Sequence, residues 1–158
     1  MFNDDIQGTA ATVLAGLYGA MKVQGLTPEA LKHQRIVVAG AGSAGSGVIL
    51  TIRNAMHKRY GLTKEEASSR FFIVDKDGLI SKHRPTLAAM EEEFYDLSSF
   101  AVPEADMEGK SLLETVKMVK PNIIIGAECL PDNLMLITHC VQACLRVGAS
   151  SVRRSSRP

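Results

Sequence analysis

This chain lacks an excess of either charge. Its 18 basic and 17 acidic side chains leave a formal net charge of +1, which argues against a field built to draw in nucleic acid or an anionic membrane. No apolar run approaches the roughly 18 residues that a membrane-spanning helix needs. The opening Met1-Phe2-Asn3-Asp4-Asp5 is acidic, unlike a secretory signal or a basic transit peptide. Cysteine is scarce: three residues, an odd number without metal-ligand spacing, fit free thiols in a reducing compartment. Cys140 and Cys144 stand one helical turn apart beside His139, but without a fourth ligand they read as core or surface thiols before a metal site. No internal repeat is present, and the Gly-Lys-Ser at Gly109-Lys110-Ser111 has Glu104 where a Walker-type phosphate loop needs its first glycine. A cytoplasmic α/β domain is the default expectation, or an organellar one if a leader lies upstream. With 158 residues, 46% of them apolar, the chain suits one domain with a real core.

What is present is a short β-branched run, Arg35-Ile36-Val37-Val38-Ala39, flowing into Gly40-Ala41-Gly42-Ser43-Ala44-Gly45. Strand, glycine turn and helix in that order point to phosphate binding. Gly40 lets the chain leave the strand tightly, Gly42 lets a pyrophosphate approach the backbone, and Gly45 lets helix and strand pack closely. Free N–H groups at the helix start favour an anion, and Ser43 adds a hydroxyl donor. A glycine-rich turn that binds nothing is the alternative. The pattern also expects an acidic residue ending the second strand, and Phe71-Phe72-Ile73-Val74-Asp75 supplies Asp75. Asp75 is then either an acceptor for ribose hydroxyls or a turn residue of Asp75-Lys76-Asp77-Gly78.

Periodicity fills in the remaining elements. Ala10, Val13, Leu14, Leu17 and Met21 predict a helix from Gly8 to about Gln24, with Gly25 as its stop. Thr27-Pro28-Glu29 starts a second helix, and a long one runs from Ser43 to about Tyr60. Thr63-Lys64-Glu65-Glu66 and Ser111-Leu112-Leu113-Glu114 match capping boxes. Glu91-Glu92-Glu93 reads as a solvated helix face. The helix after Ser111 ends at Pro121, and Asn122-Ile123-Ile124-Ile125-Gly126 reads as a third buried strand. Alternating strands and helices predict a parallel sheet with right-handed crossovers. Leu134 to Leu145 fits one more helix, and Ser150 to Pro158 a disordered basic tail.

A second unusual cluster is Phe2-Asn3-Asp4-Asp5-Ile6-Gln7-Gly8-Thr9. Adjacent carboxylates are costly without a cation or a lysine partner. One can ligate a hard divalent ion while the other orients a basic side chain; an exposed start followed by an ordinary helix cap is the alternative. Together with Gly40 to Gly45 and Phe72-Ile73-Val74-Asp75-Lys76-Asp77-Gly78-Leu79-Ile80, in that order, this cluster resembles malic enzyme from Phe2 to about Gly126. The resemblance implies an α/β fold, a Rossmann-like parallel sheet with flanking helices, incomplete relative to the full family domain. It implies oxidative decarboxylation of L-malate to pyruvate and CO₂ with NAD or NADP and Mg²⁺ or Mn²⁺, by a homo-oligomer with small-molecule substrates and no nucleic-acid or membrane partner. Asp5 matches the metal-ligand aspartate and Asp4 the neighbour that supports the catalytic lysine. Gly40, Gly42, Ser43, Ala44 and Gly45 match the cofactor phosphate loop, and Asp75 the ribose acid. The implied domains are a helical segment 1–30 with the acidic motif, a partial NAD(P)-binding unit 31–147, and a tail 148–158.

The departures from the family shape a further expectation. A Glu-Asp metal pair, a lysine base and a tyrosine acid precede the acidic motif in the family, whereas the sequence here starts at that motif. After Gly126 the chain reads Ala127-Glu128-Cys129-Leu130-Pro131-Asp132-Asn133 in place of the family's glycine-rich loop. An internal piece of malic enzyme is therefore expected, cytoplasmic or mitochondrial, that does not turn over malate alone. The alternative function is that of a catalytically incompetent fragment that binds nucleotide or associates with subunits. NAD is expected over NADP, because Glu92 falls where NADP-preferring animal members carry a lysine and Asp75 favours a free 2′-hydroxyl.

Overall fold

A computed structural model of the chain describes residues 7–93 and 96–127. Helix α1, Thr9–Val23, stops at Gly25, whose φ of 72° lets the Leu26 N–H donate back to the Met21 carbonyl at 2.9 Å. The second helix expected from Thr27-Pro28-Glu29 is present at Pro28–His33, in 3₁₀ form. The six residues of this segment end two residues before strand β1, Ile36–Ala39, and leave little length for the tighter start to relax into α geometry. Helix α2, Ser43–Tyr60, has the bounds expected of it and closes at Gly61 (φ 74°). Helix α3, Lys64–Ser68, opens on the Thr63/Glu66 capping box, with both reciprocal bonds present.

Strand β2, Phe71–Asp75, turns through Lys76-Asp77 into the two-residue β3, Gly78–Leu79. Helix α4, Leu87–Glu93, and 3₁₀ segments at Leu97–Phe100 and Ala105–Met107 lead to helix α5, Leu112–Val119, opened by the Ser111/Glu114 capping box. Lys120 takes a left-handed φ of 49° ahead of Pro121, and strand β4 follows at Ile123–Gly126.

The sheet order is β3-β2-β1-β4. β1 pairs in parallel with β2 (Ile36↔Phe71 to Ala39↔Val74) and with β4 (Ile36↔Ile123 to Ala39↔Gly126). The expected parallel sheet is present in β2, β1 and β4, and at one edge β3 adds an antiparallel pairing to β2 through Val74↔Leu79 and Asp75↔Gly78. A two-residue turn permits a hairpin and forbids the longer crossover that a parallel neighbour requires. β4 is the outer strand among the described residues. Only Ile125 of its residues is buried, while Ile123 and Ile124 are half-buried, so the third strand is less enclosed than its triple isoleucine suggested.

Alternation along β1 divides the interior. Ile36 and Val38 face α1 and α2 with Phe71 and Ile73 of β2, while Val37 and Ala39 face α5 with Val74 and Leu79. Both faces of a parallel strand are thus covered, which is why β1 reads as an unbroken apolar run. Arg53 of α2 ties the Leu97–Phe100 turn to the body, donating to Asp96 Oδ2 (2.7 Å) and Ser99 Oγ (2.9 Å) and lying over the Phe100 ring at 4.7 Å. Of the three adjacent glutamates, Glu91 accepts the Ser98 N–H at 3.1 Å instead of standing in solvent. The helix expected at Leu134 to Leu145, the Cys140/Cys144/His139 cluster and the basic tail lie outside the described residues.

Two glycines at positive φ, Gly61 and Gly78, differ in the space around them. A Cβ at Gly61 meets nothing within 4 Å, whereas one at Gly78 (φ 99°) sits 2.3 Å from the Gly109 carbonyl oxygen. Gly61→Ala is expected to cost about 1 kcal/mol from the left-handed backbone alone, and Gly78→Ala about 3 kcal/mol or more. Urea unfolding of the two variants checks the order; equal costs refute it.

Candidate functional site

The turn after β1 is held from three sides. The Gly40 N–H donates to the Val74 carbonyl of β2 at 2.8 Å, and the Ala127 N–H beyond β4 donates to the Ala39 carbonyl at 2.8 Å. Gly40 itself sits at φ 117°, a conformation that side chains disfavour. Gly45, in the first turn of α2, rests against it so closely that a Cβ would lie 2.1 Å from the Gly40 oxygen and 3.4 Å from the Ala127 Cβ. Helix α2 therefore starts where only glycine lets it start.

Gly42 is different. Its backbone is extended (φ −71°, ψ −176°), open to any residue, and a Cβ there meets nothing within 4 Å. It occupies the N-cap of α2 without a side chain to cap the helix, and the first turn holds no acidic residue. The N–H groups of Ser43, Ala44 and Gly45 are the ones a helix cannot satisfy internally. At α3 and α5 the capping boxes answer that need; at α2 an external anion would. Ser43 is exposed and Ala44 half-buried, so this rim faces outward.

The Ala39↔Val74 register sets Asp75 beside the turn, at the same end of the sheet. Its carboxylate is already engaged. Asp75 Oδ1 accepts the Asp77 N–H at 2.9 Å, closing the turn, and Oδ2 pairs with Arg84 Nη1 at 2.5 Å. Arg84 Nε pairs with Glu108 Oε1 at 2.5 Å, while its Nη2 donates to the carbonyls of Gly78 (3.2 Å) and Leu79 (3.1 Å). Glu108 Oε2 accepts the Ser81 N–H at 2.7 Å. The side chains of Arg84, Asp75 and Glu108 are only 4%, 11% and 25% exposed. Both readings of Asp75 drawn from the sequence thus have physical content: it closes a turn, and a carboxylate with about four lone-pair directions retains acceptor capacity after two are used.

Arg84 escaped the sequence reading. Lys82, His83 and Arg84 are adjacent basic residue types, and nothing in their order shows that the first two are exposed while Arg84 is buried. Burial disfavours the Arg84 charge, but Asp75 and Glu108 outweigh it and raise its pKa. Burial likewise opposes ionisation of Glu108, yet bonds from Ser81 and Arg84 prevail and lower its pKa. A cavity of about 720 Å³ lined by Arg53, Ser68, Phe71, Lys82, Phe100 and Glu104 opens at the start of β2. It is at the opposite end of the sheet from the glycine turn. Asp4 and Asp5 lie outside the described residues.

A family model described as malic enzyme, NAD binding domain, matches residues 6–144. The chain belongs to the malic enzyme family. Among curated malic enzymes, the chain is 41% identical over 127 residues to NAD-dependent malic enzyme 2, mitochondrial, of Arabidopsis thaliana, covering 80% of this chain and 20% of that protein. It is 41% identical over 126 residues to the NAD-dependent malic enzyme of Proteus mirabilis, covering 79% and 22%. The chain spans about a fifth of the length of these relatives. The crystal structure of Entamoeba histolytica malic enzyme shares the fold, with a TM-score of 0.61 at 22% identity over 80% of this chain and 23% of that one. The Rossmann-like architecture of this part of malic enzyme is therefore present here, mixed sheet included.

The ion triad makes a pH dependence. Glu108 titrates below its usual 4.5, so its contribution to stability is complete above that value and is lost as pH falls through the lower, folded one. Glu108→Gln is expected to flatten this part of the acid limb in urea midpoints measured between about pH 7 and about pH 3. An acid limb identical to that of the unaltered chain counts against the triad.

Proposed function

We propose that this chain forms the nucleotide-binding part of an NAD-dependent malic enzyme and that its glycine turn holds the dinucleotide pyrophosphate. The observation that carries this reading is the uncapped start of α2 behind Gly42, with open space where a side chain would stand. The backbone at Gly42 admits the phosphates, the N–H groups of Ser43, Ala44 and Gly45 meet their charge, and Gly40 and Gly45 hold the turn shut behind them. Asp75 uses its remaining lone pairs to accept the adenosine ribose hydroxyls, its orientation held by Arg84. Bound there, NAD supplies the hydride acceptor for oxidation of L-malate, whose decarboxylation yields pyruvate and CO₂. NADP is the alternative cofactor.

Asp5 is proposed as one oxygen ligand of Mg²⁺ or Mn²⁺, with Asp4 supporting the catalytic lysine of the family. Among the described residues no group of three or more His, Cys, Asp or Glu is placed to hold a metal ion. The unit 31–147 binds nucleotide, residues 1–30 bring the acidic motif and α1, and 148–158 form a tail. The setting is mitochondrial or cytoplasmic, in a homo-oligomer with small-molecule substrates and neither nucleic-acid nor membrane partners. Among the described residues no helix is long and apolar enough to cross a membrane.

A second reading, a nucleotide-binding or subunit-associating piece without turnover of its own, is favoured by α1. Its outward face exposes Ala11, Ala15 and Gly19, with Val23 89% exposed, an apolar surface that would suit a covering polypeptide. Malate- and Mn²⁺-dependent NADH formation by the chain alone refutes this second reading.

Isothermal titration with NAD tests the first. Saturable heat is expected, and its absence at about millimolar cofactor, from a cooperatively melting sample, overturns the proposal. Gly42→Asp sharpens the test, because the site accepts a side chain and aspartate is a good N-cap. It is expected to keep stability within about 0.5 kcal/mol while weakening NAD at least about tenfold by charge repulsion. Unchanged affinity places the phosphates elsewhere.

A further inference from the structure

We propose that Glu108 is a specificity-determining positioning residue, which favours NAD over NADP by committing Arg84 to Asp75. The inference rests on the dinucleotide reading of the glycine turn. An arginine beside the ribose acid of such a fold can accept a 2′-phosphate, and Arg84 stands at that place, paired with Asp75 at 2.5 Å. It is not free to do so. Nη1 is given to Asp75, Nε to Glu108, and Nη2 to the Gly78 and Leu79 carbonyls, so every nitrogen of the guanidinium is engaged within the protein.

Glu108 is the piece that locks this arrangement. It reaches Arg84 from 24 residues further along the chain, out of the segment before α5, while the other partners belong to the β2–β3 turn and its flank. Its second oxygen is anchored by the Ser81 N–H at 2.7 Å, so the carboxylate cannot follow Arg84 if the guanidinium turns outward. Two carboxylates share one guanidinium, and the surplus negative charge lies where a 2′-phosphate would add more. A free 2′-hydroxyl meets no such repulsion and finds an oriented acceptor in Asp75. Without Glu108, Arg84 keeps Asp75 as its carboxylate partner but loses the anchor at Nε, and its charge becomes available to a phosphate.

The test is isothermal titration of the 158-residue chain with NAD and NADP separately, comparing the unaltered chain with Glu108→Gln. Glutamine retains the size and one acceptor for Ser81. The unaltered chain is expected to bind NAD more tightly. In the variant the affinity for NADP relative to NAD is expected to rise about tenfold, with NAD itself changed by less than about threefold. A parallel loss for both cofactors, or an unchanged ratio, makes Glu108 merely structural and overturns the proposal. Equal affinity of the unaltered chain for the two cofactors overturns it while leaving the dinucleotide reading intact; binding of neither removes both. Glu108→Asp, which shortens the reach to Nε, is the second variant, expected to shift the ratio in the same direction by less. An unchanged ratio in whichever variant folds overturns the inference, so a misfolded glutamine variant does not shelter it.

Discussion

The contact on which this structure depends is the one between the backbone of Gly40 and the first turn of α2 at Gly45. A single added methyl at Gly45 would meet the Gly40 oxygen at 2.1 Å, so the helix can lie this close to the strand exit only because no side chain stands between them. From that contact follow the direction of α2 over the sheet, the burial of Val48, Ile49 and Ile52 against β1 and β2, and the exposure of α2's unsatisfied N–H groups at one rim. The packing of α2 and the uncapped N–H groups at its start meet at this one contact.

A second constraint operates at the neighbouring strand end. Arg84, brought in from the loop after β3, holds the carboxylate that ends β2 and is itself held by Glu108. Buried ion pairs contribute little net stability against a well-packed apolar alternative, but losing one partner strands the others and costs about 3–5 kcal/mol. The triad is therefore best understood through orientation. It keeps Asp75 at one angle beside the glycine turn, which a flexible surface carboxylate would not do.

Much of this was legible in the residue order. Thr63/Glu66 and Ser111/Glu114 marked helix starts because capping is a local exchange of hydrogen bonds, complete within four residues. Ser43 to Tyr60 was bounded correctly because glycines flank it and its composition suits a helix. Other features depended on chain length and neighbours: the 3₁₀ form of Pro28–His33, the antiparallel β3, and the half-exposed β4 at the outer position of the described sheet. Residues 4 and 5, which made the family resemblance specific, lie outside the described part, so their roles rest on motif alone.

The sequence by itself determined the family and the order of strand, glycine turn and helix, because these are consequences of spacing over a few residues. Only the tertiary structure decided which side chain of Lys82-His83-Arg84 turns inward. It also decided that Asp75 is clamped rather than free, and that Glu108 reaches back to complete the clamp. Those choices join residues 9 and 24 positions apart, and an ion pair across such distances forms only after the sheet and the segment before α5 have brought its members together.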